Sequence, residues 1–236
     1  MKLAKLTTQQ TVDFALEQQT AGLVNLEFDR DKCKFLGFEN LRKIFELRLP
    51  LPCSDIRTDE SVDKYLERIA AESFPPYFVL LIQAGHAALG YFEGGKVFRH
   101  KALRAYMVRK GQGKSQLSFS KNGKGKSSGS QLRHQNAIHF FEDINHTLNE
   151  WNVMKRCERI LYSCPISLWS YLFSSKIKCP FDKKDLRLQK IPLDVRVPNY
   201  EELIRVNKII SFGYLTHFPV QCNNQDNFCE TVSHSL

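Results

Sequence analysis

Tyr77-Phe78-Val79-Leu80-Leu81-Ile82-Gln83 is a nearly continuous apolar run. Seven residues is strand length, and an unbroken apolar run of that length reads as a strand covered on both faces. Such a strand needs a layer on each side, so this stretch makes the core an α/β sandwich. Pro75-Pro76 punctuates the chain just before it. Gly85 breaks the run, and His86-Ala87-Ala88-Leu89-Gly90-Tyr91-Phe92 returns as a second strand. Glu93-Gly94-Gly95 then forms a tight hairpin into a third strand, Lys96 to His100. Leu103 to Val108 adds a further strand or continues that one. From Arg109 to Ser130 the apolar content collapses.

A helix is expected from Gln131, with Ser128 or Ser130 as its N-cap. Its apolar positions Ile138, Phe141, Ile144, Leu148 and Trp151 recur every three or four residues, placing one stripe on the sheet. Ile160 to Ser163 reads as another buried strand, 166–173 as a helix, and Lys190 to Val195 as an edge segment. Tyr200 to Ile210 is a closing helix, with Leu203, Ile204, Val206, Ile209 and Ile210 apolar. The order describes an α/β fold with a mixed β-sheet packed by helices. Upstream, 7–20 reads as a helix capped by Thr7 or Thr8, with Val12, Ala15 and Leu16 on one side. A short helix over 40–47 would end before Pro50-Leu51-Pro52, and a third helix covers 60–72. The expected division is a mainly helical N-terminal extension over 1–74, a core domain over 75–215 and a polar tail over 216–236.

The 236 residues are 42% hydrophobic, enough to bury a core, so this is not a disordered charged chain. No run approaches the ~18 apolar residues of a membrane span. Met1-Lys2-Leu3-Ala4-Lys5-Leu6 turns polar at Thr7, so no secretory signal is expected. The seven cysteines (33, 53, 157, 164, 179, 222 and 229) are odd in number and contain no C-x-x-C pair. Neither a disulfide framework nor a zinc finger is indicated, which suits a reducing cytoplasm.

The net charge of +9 becomes informative once located. No acidic residue occurs between Glu93 and Glu142. Within that gap Lys101, Arg104, Arg109, Lys110, Lys114, Lys121, Lys124, Lys126 and Arg133 supply nine positive charges. The rest of the chain then holds 34 − 9 = 25 basic against 25 acidic residues. A solvated face would mix signs, whereas a segregated block is the footprint of a polyphosphate partner, most often nucleic acid. The loop over 109–131 carries five glycines and too little apolar surface to order itself. Long loops of this kind inside compact domains are usually functional. Gly111-Gln112-Gly113-Lys114-Ser115 lacks the first glycine of a nucleotide-binding phosphate loop, because Arg109 and Lys110 stand on that side. None of His86, His100, His134 and His139 has a Cys, Asp or Glu at triad or metal-ligand spacing.

Arg109-Lys110-Gly111-Gln112-Gly113-Lys114-Ser115-Gln116 and Gly125-Lys126-Ser127-Ser128-Gly129-Ser130-Gln131-Leu132-Arg133 together resemble the release-factor-like domain of the ribosome-associated quality-control proteins that cleave peptidyl-tRNA. Flanking motifs agree in order: Gly85-His86-Ala87-Ala88, His100-Lys101, Tyr106-x-Val108-Arg109, then Asn136 and Asp143. Ile191-Pro192-Leu193, Arg196-x-Pro198 and Tyr200-x-Glu202-Leu203 follow. The resemblance covers roughly residues 75–212. It implies a fold similar to the middle domain of eukaryotic-type peptide release factors, which is ribonuclease H-like, and a minimal member of the family.

It also implies that the loop enters the peptidyl-transferase centre, with large ribosomal subunit, ribosomal RNA and peptidyl-tRNA as partners. No cofactor, metal or membrane is expected to be involved, and the chain is expected to act as a monomer. By position Gln116 is the implied catalytic residue. Lys114-Ser115-Gln116 departs from the Gly-Gly-Gln of the release factors and from the Gly-Ser-Gln of the quality-control branch. Gly111, Gly113, Ser115, Gly125 and Gly129 would shape the loop. Arg109, Lys110, Lys114, Lys121, Lys124, Lys126 and Arg133 would contact phosphate. The bond acted on is either the peptidyl ester or a phosphodiester at the tRNA 3′ end. A catalytically silent RNA-binding factor using the same loop is the alternative, and a structural domain with an incidental loop is a third reading.

Overall fold

The computed structural model describes residues 2–22, 24–105 and 128–219, with the side chains of Lys2 and of 128–134 left out. The apolar run is β5 (Tyr77–Gln83), and its first six side chains are buried. β5 pairs antiparallel with β6 (His86–Glu93), which pairs antiparallel with β7 (Lys96–Arg104). On its other side β5 pairs in parallel with β8 (Arg159–Ser163), and β8 with β9 (Leu188–Lys190). The sheet order is therefore β7-β6-β5-β8-β9, and the sheet is mixed. Gly94 and Gly95, at φ 54° and 79°, make the expected hairpin turn, whose two left-handed positions a side chain would strain.

Alternation along β5 separates two cores. Phe78, Leu80 and Ile82 face one side, where α3 (Ser128–Trp151) contributes Phe140, Phe141, Ile144 and Leu148 and α4 (Ile166–Ser174) contributes Leu172. Tyr77, Val79 and Leu81 face the other side, against Leu203, Val206 and Ile210 of α5 (Tyr200–Ile210). Both helices were legible from their stripes. α3 begins at Ser128, three residues earlier than its periodicity indicates, because Ser128-Gly129-Ser130 carries no apolar signal. Gly90 lets α5 approach: a Cβ there would stand 2.8 Å from a Leu203 methyl and 2.7 Å from the Phe92 ring.

The mainly helical N-terminal layer needs correction. Residues 7–20 and 60–72 do form helices, α1 (Thr8–Ala21) and α2 (Val62–Ala71), and Thr7 caps α1 in a reciprocal capping box with Gln10. The expected helix over 40–47 is instead β4 (Arg42–Arg48). It pairs antiparallel with β3 (Lys34–Glu39) through a turn at Asn40 and Leu41, both at positive φ. Phe45 and Leu47 are buried while Ile44 and Glu46 are half-exposed, a period of two. β2 (Asn25–Asp29) extends this second sheet beyond β3, and β1 (Lys2–Leu6) lies at its far edge.

The strand next to β1 comes from the far end of the chain. β10 (Gly213–His217) lies between β1 and β4, antiparallel to both. Thr216 and His217, expected in a polar tail, are thus strand residues inside an all-antiparallel sheet of order β1-β10-β4-β3-β2. The core of this second sheet is continuous with the α5 face of the first, through Phe35, Phe45, Leu47, Tyr65 and Leu66. The edge segment expected over 190–195 is β9, displaced to 188–190. Ile191 adds one hydrogen bond to the carbonyl of Tyr162 before the chain leaves the sheet.

Candidate functional site

Most of the loop lies outside the described residues. That includes Gln116 and its neighbours Gly111, Gly113, Ser115 and Gly125, and the cations Arg109, Lys110, Lys114, Lys121, Lys124 and Lys126. Gly129 and Arg133 are placed by backbone alone. Both lie in α3, so Gly129 belongs to a helical first turn and not to the loop where it was expected. What the structure does fix is the pair of stems from which residues 106–127 depart.

The first stem is the end of β7. The Ala105 N–H donates to the carbonyl of Gly85 at 2.9 Å, which seals the strand against the turn between β5 and β6. Lys101 Nζ donates to Thr147 Oγ1 at 3.1 Å, tying β7 across to α3. The second stem, α3, is held on the sheet by its apolar stripe and by Asn145, which is fully buried. Asn145 Nδ2 donates to the carbonyls of Leu172 and Ile177 at 2.7 and 2.8 Å. One turn on, Asn149 Nδ2 donates to the Lys178 carbonyl at 2.9 Å. A buried amide meeting two carbonyls locks α3 in one register against the 172–178 segment, since sliding would orphan all three groups.

Basic residues are exposed on both faces of β7. Arg99, His100, Lys101 and Arg104 are exposed along this edge strand, and none of them has a carboxylate partner among the described residues. Lysine and arginine on an edge also deter strand addition by other chains. Here the same charges run on into the basic loop.

The motifs beyond α3 converge on the opposite face of the same sheet. Gln83, at the end of β5, donates through Nε2 to the carbonyl of Val195. The Tyr200 ring packs tilted against His100, with ring centroids 4.2 Å apart. Glu202 is 5% exposed and accepts from the Arg196 N–H at 2.8 Å and from Arg205 Nε and Nη2 at 2.7 and 2.6 Å. The Arg205 hydrogen bonds hold the Glu202 carboxyl below its ordinary range. This carboxylate therefore staples the 194–196 turn onto α5 and is ionised at neutral pH. Periodicity gave no sign of Glu202 or Asn145 as buried anchors, because polar residues inside an amphipathic stripe look like surface.

The His86 ring is 3.4 Å from the Ala84 carbonyl, and exposed His139 faces Glu142 at 3.1 Å. Neither addresses a nucleophile. Among the described residues no group of His, Cys, Asp and Glu is arranged to hold a metal ion. The thiols of Cys157, Cys164 and Cys179 are pushed up to about 12 by burial, so they are neutral. No helix among the described residues is long and apolar enough to cross a membrane.

Residues 77–217, from β5 to the end of β10, match the family model for the Bacteroidetes VLRF1 release factor. The human tRNA endonuclease ANKZF1 is 32% identical over 151 residues, covering 62% of this chain and 21% of that protein. The Caenorhabditis elegans tRNA endonuclease vms-1 is 27% identical over 128 residues, covering 53% of this chain and 20% of that protein. The chain thus spans about a fifth of the length of the curated relatives it matches. Among solved structures, the Vms1 mitochondrial localization core covers 86% of this chain and 94% of its own, at 12% identity and a TM-score of 0.49. The family match runs through both stems of the basic loop and through the 191–203 motifs, and it takes in more than half of the sequence. This chain belongs to the Bacteroidetes VLRF1 release factor family.

Proposed function

We propose that this protein releases nascent chains from stalled large ribosomal subunits in the cytoplasm, acting on peptidyl-tRNA through its basic loop in the peptidyl-transferase centre. The observation that carries this reading is the release-factor family match across both loop stems, with the excess positive charge of the whole chain lying at or between them. Arg109, Lys110, Lys114, Lys121, Lys124, Lys126 and Arg133 neutralise ribosomal RNA and tRNA phosphates. The first turn of α3 offers backbone N–H donors to a phosphate. Gly111, Gly113 and Gly125 let the backbone approach RNA closely, and Ser115 shares in shaping the loop beside Gln116.

Gln116 is assigned the chemical role. Its amide does not titrate and is no general base; it offers an acceptor and donors at fixed spacing. That suits orienting a water or a ribose hydroxyl beside a bond that ribosomal RNA already holds, and positioning alone lowers a barrier by several kcal/mol. The relatives are named tRNA endonucleases, which favours a phosphodiester near the tRNA 3′ end over the peptidyl ester.

The test is a single-turnover assay on isolated large subunits carrying labelled peptidyl-tRNA, with both products sized. Gln116→Ala should bind subunits normally and lose about ten- to a thousand-fold in rate, as for one lost positioning or electrostatic contact. Gln112→Ala should keep most activity. A tRNA shortened at its 3′ end marks phosphodiester cleavage, and full-length tRNA marks ester hydrolysis. Wild-type rates in both variants would overturn the catalytic assignment in favour of a silent binding factor.

A further inference from the structure

Outside residues 101–133 the charges balance in total but not locally. Between Ser175 and Lys190 there are six basic residues (Lys176, Lys178, Lys183, Lys184, Arg187 and Lys190) against Asp182 and Asp185. Asp185 is taken up by Arg187, with Nη2 to Oδ2 at 2.7 Å and Nε to Oδ1 at 3.0 Å. Lys176, Lys178, Lys183 and Lys184 are exposed and make no ion pair among the described residues. Three of these lysines ring a cavity of about 750 Å³ that Asp182 and the Arg187-paired Asp185 also line and that is built on Phe173, Phe181 and Leu186. Lys183 Nζ stands 5.5 Å from the centre of the Phe173 ring, and Leu186 is 92% exposed. The Cys179 thiol in the wall is neutral and adds no charge.

The position of this patch is fixed relative to the loop's second stem. Asn145 and Asn149 of α3 hold the carbonyls of Ile177 and Lys178. Ser128 to Asn149 is 21 residues of helix, or roughly 32 Å at ~1.5 Å per residue. The cavity therefore lies about 30 Å from the loop's second stem, at the far end of the helix that the loop feeds. Lysines on a surface are usually only solvated. An apolar and aromatic floor beneath unpaired lysines is more particular, because it supplies both halves of nucleotide recognition. An unstacked base lies on ring or aliphatic surface while its phosphates meet ammonium groups. An acidic peptide would use the lysines and leave the floor unexplained.

We propose that this cavity is a second RNA-contact site, taking an unstacked nucleotide and its flanking phosphates from the RNA that the loop engages. The site rests on the RNA-binding reading of the preceding section. The test pairs Lys183→Ala/Lys184→Ala with Lys183→Arg/Lys184→Arg in the full chain. Both are titrated against vacant large subunits and, separately, against free deacylated tRNA over a salt series. On one of the two RNAs the alanine variant should bind several-fold more weakly. Its slope of log affinity against log salt should be shallower by about 1.5 to 2, and the arginine variant should restore both. The RNA that responds identifies the source of the nucleotide.

Wild-type affinity and slope for the alanine variant on both RNAs would overturn the site. If a Lys121, Lys124 and Lys126 alanine variant still loses binding in that case, the functional reading stands. A wild-type protein that binds neither RNA sinks both. Loss of binding only to a poly-glutamate peptide overturns the site in favour of an acidic protein partner.

Discussion

Removing the Glu202 carboxylate tests whether the segment behind the loop stem is stapled as described. In Glu202→Ala the Arg196 N–H and the Arg205 guanidinium lose three hydrogen bonds of 2.6 to 2.8 Å. Breaking a fully buried ion pair costs about 3–5 kcal/mol. Arg205 is 33% exposed and can rehydrate, so the cost here should be lower, about 2–4 kcal/mol. For a chain of this size that is a fall in melting temperature of roughly 5–15 °C. The pH dependence carries a sign of its own. The folded-state pKa of Glu202 lies below the ordinary 4.5, so the unfolded chain binds the proton more tightly. The stabilisation is then fully present above the unfolded value and is lost as pH falls through 4.5 toward the depressed folded value. Glu202→Gln, which cannot titrate, should flatten that part of the stability profile. Thermal unfolding followed by circular dichroism from pH 7 to pH 3 reads both effects. A loss below about 1 kcal/mol for Glu202→Ala, the size of an ordinary exposed contact, would refute the stapling argument.

Asn145→Ala should destabilise by about 1–3 kcal/mol in denaturant unfolding, since one buried and one half-buried carbonyl lose their donor. Asn145→Asp should be worse than Ala at neutral pH, because a carboxylate oxygen would face those same carbonyls. Glu60 is held down to about 2 by its hydrogen bonds from Arg68, so acid titration should reveal stability lost between pH 4.5 and 2 that Glu60→Gln lacks. Replacing Lys121, Lys124 and Lys126 together by Ala should weaken large-subunit co-sedimentation and make it less salt-dependent. Melting temperature in that variant should hold, since exposed substitutions usually shift stability by less than ~0.5 kcal/mol; a large fall would mean that the segment is packed.

The sequence alone determined what depends on local pattern. The apolar run at 77–83 required layers on both faces, and the stripes in α3 and α5 supplied them. Charge segregation marked the loop without any fold, because net charge is counted along the chain. The order of separated motifs was enough to name a family resemblance. Tertiary structure decided what depends on partners distant in sequence. Arg42-Lys43-Ile44-Phe45-Glu46-Leu47-Arg48 fits a helical or a strand period over so short a span. Pairing with β3 through an unusual Asn40-Leu41 turn resolves it. Nothing in Gly213-Tyr214-Leu215-Thr216-His217 announces a strand between β1 and β4, since its ladder partners lie some 170 to 215 residues upstream in the chain. Asn145 looks like a surface residue until the carbonyls of Leu172 and Ile177 that it satisfies are brought alongside. Only folding makes a buried polar group affordable, because its hydrogen-bond partners come from other elements.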